Sequence, residues 1–250
     1  MDYSTLVEDL IKREFLKTSL IIEAFRKINR ADFVPEELKD ETGFDSPLPI
    51  GHGQTISQPY TVAFMLELLQ PQPGEKILDV GSGSGWTSAL LAYCVSSDLV
   101  IPSEAGNLPR MRDSIRTFVR DSSVASLPQN DRKGNKVLQK DQGRVFAIER
   151  IPELCEFGKN NIAKYNFIEK GMVRMVCADG SAGLPDEAPF DKILVSASAQ
   201  EMPEALRRQL KVNGRMVAPV QNSIWFVVRK SENNFEAKEF PGFAFVPLIS

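Results

Sequence analysis

The sequence predicts an α/β fold: a mostly parallel, twisted sheet with helices ahead of it and an antiparallel C-terminal edge. Three observations carry this prediction. From Lys76 onward, short apolar runs alternate with helix-patterned segments, the signature of parallel strands joined by crossovers. The first run, KILDV (76–80), passes directly into the loop GSGSG and then the helical WTSALLAYCV (86–95), the context that lifts a glycine motif above chance. The last apolar runs stand too close together to enclose a helix, so they pair antiparallel.

Each element has its own signal. Leu6, Leu10 and Ile11 share one helical face, as do Leu20, Ile21, Ala24, Phe25 and Ile28, so two short helices open the chain. Residues 31–45 form an acidic connector punctuated by Pro and Gly. YTVAFMLELLQ (60–70) reads as a helix ended by Pro71-Gln-Pro-Gly74. Past the glycine loop, RVFAIE (144–149) is a second strand, followed by a helix from about Pro152 to Tyr165. MVRMVC (172–177) and KILVS (192–196) are the third and fourth strands, and a helix over about 203–211 precedes the strand RMVAPV (215–220). SIWFVVRK (223–230) and FAFVPL (243–248) read as the closing strands.

The stretch from about 97 to 142 breaks this rhythm, because connections in such folds usually take about two to six residues. It reads as an insertion. Met111, Ile115, Phe118 and Val119 fall on one face of a helix that Asn107 could cap, with Pro109 in its first turn. Arg110, Arg112, Arg116 and Arg120 make that helix basic, and the polar remainder is turn-rich. Solvated arginines are the plainer reading of the basic face.

A chain of 250 residues, 42% of them hydrophobic, can bury one large core or two small ones. A net charge of −3 gives no global pull toward nucleic acid or an anionic membrane. Neither a signal peptide nor a long apolar span is visible, which predicts a soluble, cytoplasmic protein. Cys94, Cys155 and Cys177 cannot all pair and show no metal spacing. They are expected to be buried or free thiols in a reducing compartment, and no metal site is expected.

The chemistry concentrates at strand ends. The loop Asp79-Val-Gly81-Ser82-Gly83-Ser-Gly85 reads GxGxG, not the GxGxxG of dinucleotide sites, and places a carboxylate two residues before its first glycine. A carboxylate is a poor neighbour for a pyrophosphate and a good one for an ammonium. S-Adenosylmethionine carries an ammonium and a sulfonium but no phosphate. Glu149 at the end of the second strand is placed to accept from ribose hydroxyls, and Asp179-Gly180 after the third to meet an adenine ring. Three acids at three consecutive strand ends point to one ligand crevice.

With these residues in place, a family resemblance emerges. DSPLPIGHGQTISQP, ILDVGSGSGW, VFAIERIPEL, DGSAGLPDEAPFDKILVSASAQEMPEALRRQLK and FAFVPL, in this order, resemble protein-L-isoaspartate O-methyltransferases over nearly the whole chain except about 97–142. The resemblance implies a Rossmann-like methyltransferase fold with seven strands. It implies a single domain, 1–250, with an N-terminal helical segment of about 1–70. The methyl donor is then S-adenosylmethionine, leaving S-adenosylhomocysteine. The acceptor is the abnormal carboxylate of L-isoaspartyl residues, and more weakly D-aspartyl ones, in damaged proteins; the ester collapses to a succinimide whose hydrolysis restores some aspartate.

Carried over by position, Ser57 is the active-site residue, and Gln54, Thr55 and Ile56 lie over the cofactor. Asp79, Gly81, Ser82 and Gly83 form the cofactor loop, Glu149 holds the ribose, and Asp179 and Gly180 meet the adenine. Val195, Ser196 and Ser198 line the substrate groove together with Ser57. The chain departs from the family pattern at Ser198-Ala-Gln200, Lys211-Val-Asn-Gly214 and Pro219-Val-Gln221, which touches the groove wall and one turn.

An acceptor carboxylate is ionised at neutral pH and needs alignment more than a base. Ser57 suits that task as a neutral donor. His52, the only histidine, reads as a loop residue at the edge of the site, since no nucleophile elbow surrounds Ser57. Trp86 reads as helix packing near the cofactor. A monomer acting on isoaspartyl proteins, without nucleic acid or membrane, is expected. The alternatives are a carboxyl methyltransferase dedicated to one peptide and a cofactor-binding protein with weakened catalysis.

Overall fold

A computed structural model describes residues 2–97 and 142–248. The helix, basic face and polar tail read between about 97 and 142 lie almost wholly outside the described residues.

The N-terminal part follows its apolar periodicity. Helix α1 (Tyr3–Lys12) is capped by Asp2, whose Oδ1 accepts from the Thr5 amide at 2.7 Å. It buries Leu6, Val7 and Leu10, and α2 (Ser19–Lys27) buries Leu20, Ile21, Ala24 and Phe25. Each of these side chains except Ala24 contributes roughly 1.5–3 kcal/mol of burial. The acidic connector holds two short 3-10 turns, Arg30–Phe33 and Glu36–Glu41.

GHGQTI, left without secondary structure by periodicity, is a small hairpin. Strand β1 (Leu48–Gly51) pairs antiparallel with β2 (Gln54–Ile56). At its tip His52 and Gly53 have φ of 53° and 70°, the positive values that tight two-residue hairpin turns require. Helix α3 (Pro59–Leu69) follows, with Pro59 in its first turn.

The remaining strands form one sheet: β3 (Lys76–Val80), β4 (Arg144–Glu149), β5 (Val173–Cys177), β6 (Phe190–Val195), β7 (Leu210–Val220), β8 (Ser223–Arg229) and β9 (Phe235–Pro241). Their order is β5-β4-β3-β6-β7-β8-β9, parallel from β5 to β7 and antiparallel at β8 and β9. Helices α4 (Trp86–Val95), α5 (Pro152–Ala163) and α6 (Glu204–Arg208) complete the α/β pattern. Leu78, Val80, Phe146, Ile148, Ile193 and Val195 are buried in one core, as strands covered on both faces demand. Chain order reverses between β3 and β6, which makes their C-terminal ends the switch point where open sheets bind ligands.

Three local expectations are corrected. The seventh strand is β9, not FAFVPL. A short turn after β8 lets Phe235–Pro241 pair with β8 in full register, and its alternating charges suit an exposed edge. Residues 243–248 make only an isolated bridge, Pro247 with Ser198. The helix near 203–211 stops at Arg208, because Leu210 already pairs with Phe190 and begins the long strand β7. The cysteines are not all thiols. Cys155, at the start of α5, and Cys177, at the end of β5, form a disulfide with Cα atoms 5.8 Å apart, while Cys94 is free and buried. Folding α5 back along β5 brings together two cysteines separated by 22 positions in sequence.

Candidate active site

The glycine loop is tied down by its neighbour strand. The amides of Gly81 and Ser82 both donate to the Ile148 carbonyl, at 2.9 and 3.0 Å. The Gly83 amide donates to Glu149 Oε2 at 2.8 Å, and the Ile151 amide to Glu149 Oε1 at 3.0 Å. Glycine is needed where α5 crosses the loop: a Cβ on Gly158 would lie 2.7 Å from the Gly83 carbonyl oxygen, and one on Gly85 would lie 2.8 Å from that of Gly158.

These ties leave a cleft over the switch point, where open α/β sheets bind ligands. Gln54, Thr55, Ile56 and Ser57 line one side. Gly81, Ser82, Gly83, Trp86 and Thr87 supply the floor and helix start, Glu149, Arg150 and Ile151 the end of β4, and Gly180 the end of β5. Ser196 and Ala197 follow β6, and Val246, Pro247 and Leu248 close the cleft. So Gln54–Ser57, the glycine loop, Glu149, Gly180 and Ser196, all predicted as site residues, converge on one space.

Ser57 is half-buried there, and among the described residues its hydroxyl has no hydrogen-bond partner. Its carbonyl accepts from Arg30 Nη2 at 3.1 Å. Trp86 is 1% exposed, with its ring against Tyr3 and Phe25, and so both packs and lines.

Four predicted residues stand elsewhere. Asp79 is fully buried and does not line the cleft; Ser88 donates to its Oδ2 at 2.6 Å. Burial, with a smaller push from Glu149, raises its pKa to about 7, against the pull of Ser88 and Ser196. Its Oδ1 has no partner. Asp179 is exposed and accepts from the Ser181 amide at 2.8 Å, a bond that holds its pKa low and shapes the turn around Gly180. Val195 is part of the sheet core. Ser198 pairs through its backbone with Val246 and Leu248, at 2.8 and 2.7 Å, and its hydroxyl donates to the Gln221 carbonyl at 2.9 Å. It therefore holds the wall and does not line the cleft. His52 is exposed at the hairpin tip, outside the lining.

Periodicity missed Val246–Leu248 and Arg30. The first looked like a strand, and the second sits in an unremarkable Asn-Arg-Ala-Asp run with no local signal.

The site tests which ligand chemistry it accepts. The amides of Gly81, Ser82 and Gly83 are already committed to Ile148 and Glu149. What remains are the carboxylate of Glu149, the Ser57 hydroxyl and apolar wall. That set fits a phosphate-free ligand with hydroxyls and positive charge. Among the described residues no cluster could hold a metal ion.

Comparison with known proteins agrees. A family model described as protein-L-isoaspartate(D-aspartate) O-methyltransferase matches residues 1–123 and 135–250; it enters the stretch read as an insertion from both sides and leaves 124–134 outside. A protein-L-isoaspartate O-methyltransferase from Methanopyrus kandleri is 38% identical over 248 residues, covering 98% of this chain and 89% of its own. One from Aeropyrum pernix is also 38% identical, covering 98% of this chain and 78% of its own. A solved Plasmodium falciparum chain, described as such a methyltransferase in complex with S-adenosyl-L-homocysteine, shares the fold with a TM-score of 0.74 at 22% identity. That match covers 100% of this chain and 99% of the other.

Proposed function

This chain belongs to the protein-L-isoaspartate(D-aspartate) O-methyltransferase family, and from that premise we propose that it methylates the free carboxylate of L-isoaspartyl residues, and more weakly D-aspartyl ones, in damaged proteins. The ester formed opens the way to a succinimide and so to repair. S-Adenosylmethionine, when bound, supplies an electrophilic methyl group on a sulfonium.

The protein's own residues bind, orient and exclude water. Glu149 offers carboxylate oxygens to ribose hydroxyls while gripping the glycine loop. Gly81, Ser82 and Gly83 let the backbone approach the cofactor closely. Gln54, Thr55 and Ile56 cover it, and Gly180, where a Cβ would lie 2.6 Å from Val80 Cγ1, packs its turn closely against β3 beside the adenine. Asp79 supports the loop from behind, and Asp179 shapes the turn that carries Gly180. The acceptor carboxylate is already ionised, so no general base is required. Ser57 donates its hydroxyl to one carboxylate oxygen and leaves the other free, with Ser196 beside the groove and Val195 and Ser198 fixing its frame. A neutral donor orients without quenching the nucleophile as a tight ion pair would.

The observation that carries this reading is the unpartnered Ser57 hydroxyl, in the same cleft as Glu149 and a glycine loop whose Gly81, Ser82 and Gly83 amides are already taken. The test is methyl transfer from labelled S-adenosylmethionine to unrelated isoaspartyl peptides and their normal aspartyl counterparts. Base-labile label on the isoaspartyl forms is expected. Label on one peptide alone indicates a dedicated enzyme, and cofactor binding without transfer indicates a binding protein. Ser57→Ala is expected to lower turnover by about a hundredfold with little change in S-adenosylhomocysteine affinity; full activity removes Ser57 from the mechanism.

We read the enzyme as one domain that works as a monomer, without nucleic acid or membrane. Among the described residues no helix is long and apolar enough to cross a bilayer, and we place it in the cytoplasm.

A further inference from the structure

Arg30 is 0% exposed, and among the described residues it makes no ion pair. Its guanidinium instead donates to four backbone carbonyls. Nη1 reaches Thr42 at 3.3 Å and Phe44 at 3.2 Å; Nη2 reaches Ser46 at 2.7 Å and Ser57 at 3.1 Å. Its Cζ lies 5.5 Å from the centre of the Trp86 ring, a cation–π contact that shelters the charge. Burial lowers its pKa to about 10, so it stays charged at neutral pH.

The two Nη2 bonds matter most. Ser46 precedes the β1–β2 hairpin and Ser57 follows it, so one nitrogen ties the chain entering the hairpin to the chain leaving it. Asp45 adds a second tie, accepting from the Tyr60 amide at 2.8 Å and from Gln58 Nε2 at 3.2 Å. Ser57 is thus held through its carbonyl, and its hydroxyl is left for the cleft.

We propose that Arg30 is a positioning residue for methyl transfer: by fastening Ser46 and Ser57 together it sets where the Ser57 hydroxyl stands. The proposal rests on the role given to Ser57 above. The guanidinium fork reaches all four carbonyls from a fixed plane; the three N–H donors of a lysine ammonium cannot reproduce that set. The glycine loop is held by Ile148 and Glu149, so that part of the cofactor site does not depend on the arginine.

The test is Arg30→Lys, with Arg30→Gln as a second variant, each alone and combined with Ser57→Ala. The readouts are kcat and KM for an isoaspartyl peptide, the Kd for S-adenosylhomocysteine and the thermal midpoint. Arg30→Lys is expected to lower kcat about tenfold or more, as small misplacements do, with Kd changed less than about threefold. In the Ser57→Ala background it is expected to cost kcat nothing further, because residues acting through one another are non-additive. Full kcat in Arg30→Lys overturns the proposal, as do additive losses. So does loss of fold and ligand binding together in both variants, which marks Arg30 as a residue of the fold alone. Full activity in Ser57→Ala by itself removes the serine's role, and Arg30's with it. An impaired Ser57→Ala beside a normal Arg30→Lys removes only Arg30's.

Discussion

The Gly83 amide points at Glu149 Oε2, 2.8 Å away. The residue we propose to hold the ribose therefore also holds the glycine loop, with its second oxygen on the Ile151 amide at 3.0 Å. Glu149→Gln turns an amide NH₂ toward one of these two N–H groups. Leaving such a partly buried donor unmatched costs about 1–3 kcal/mol, so S-adenosylhomocysteine affinity is expected to fall roughly 10- to 100-fold by calorimetry. Unchanged affinity would show that the loop holds itself.

The crossing of α5 over the loop allows no side chain. Gly158→Ala puts a Cβ 2.7 Å from the Gly83 carbonyl oxygen and 3.0 Å from Met175 Cε. Backbone must shift, which costs about 1–3 kcal/mol. A lower denaturant midpoint together with weaker ligand binding is expected, whereas an exposed helix position would gain stability from the same change.

Asp79 makes stability depend on pH. Its folded pKa, raised to about 7 from 3.8 chiefly by burial, means the native state keeps a proton that the unfolded chain has lost. Stability therefore falls as pH rises from about 4 to about 7 and then levels off, with a total loss on the order of a few kcal/mol. Asp79→Asn, which still accepts from Ser88, removes this dependence. Its thermal midpoint relative to the parent is expected to rise between pH 5 and pH 8; a constant difference would place the titration elsewhere.

The Cys155–Cys177 bond closes a loop over a separation of 22 positions, worth about 3 kcal/mol by restricting the unfolded chain. Thiol labelling of the denatured protein is expected to find one thiol before reduction, Cys94, and three after. Dithiothreitol is expected to lower the thermal midpoint of the parent but not of Cys155→Ser. Three thiols before reduction would refute the pairing.

Much was legible in the chain because the relevant physics is local. An apolar strand running into glycines and a helix carries its own turn chemistry, so Gly81–Gly83 and the acid ending β4 could be placed from spacing and parallel topology. Gln54–Ser57 was legible as a motif, though not as a hairpin, because three- and four-residue strands are too short to show a period. FAFVPL misled for the opposite reason. Its apolar run is strand-like, but Phe235–Pro241 reaches β8 through a shorter loop and so takes the pairing.

By itself, then, the sequence determined the α/β alternation, the glycine loop, the strand-end acid Glu149 and the family. All of these are written in contiguous residues whose conformations are set by near neighbours. Tertiary structure decided which residues share the cleft. It buried Asp79 behind the loop, turned Asp179 outward, brought Val246–Leu248 over Ser198, joined Cys155 to Cys177 and set Arg30 beneath Ser57. Contacts of that kind link segments far apart in sequence. They are chosen by close packing and by the need of every buried polar group for a partner, which no local pattern encodes.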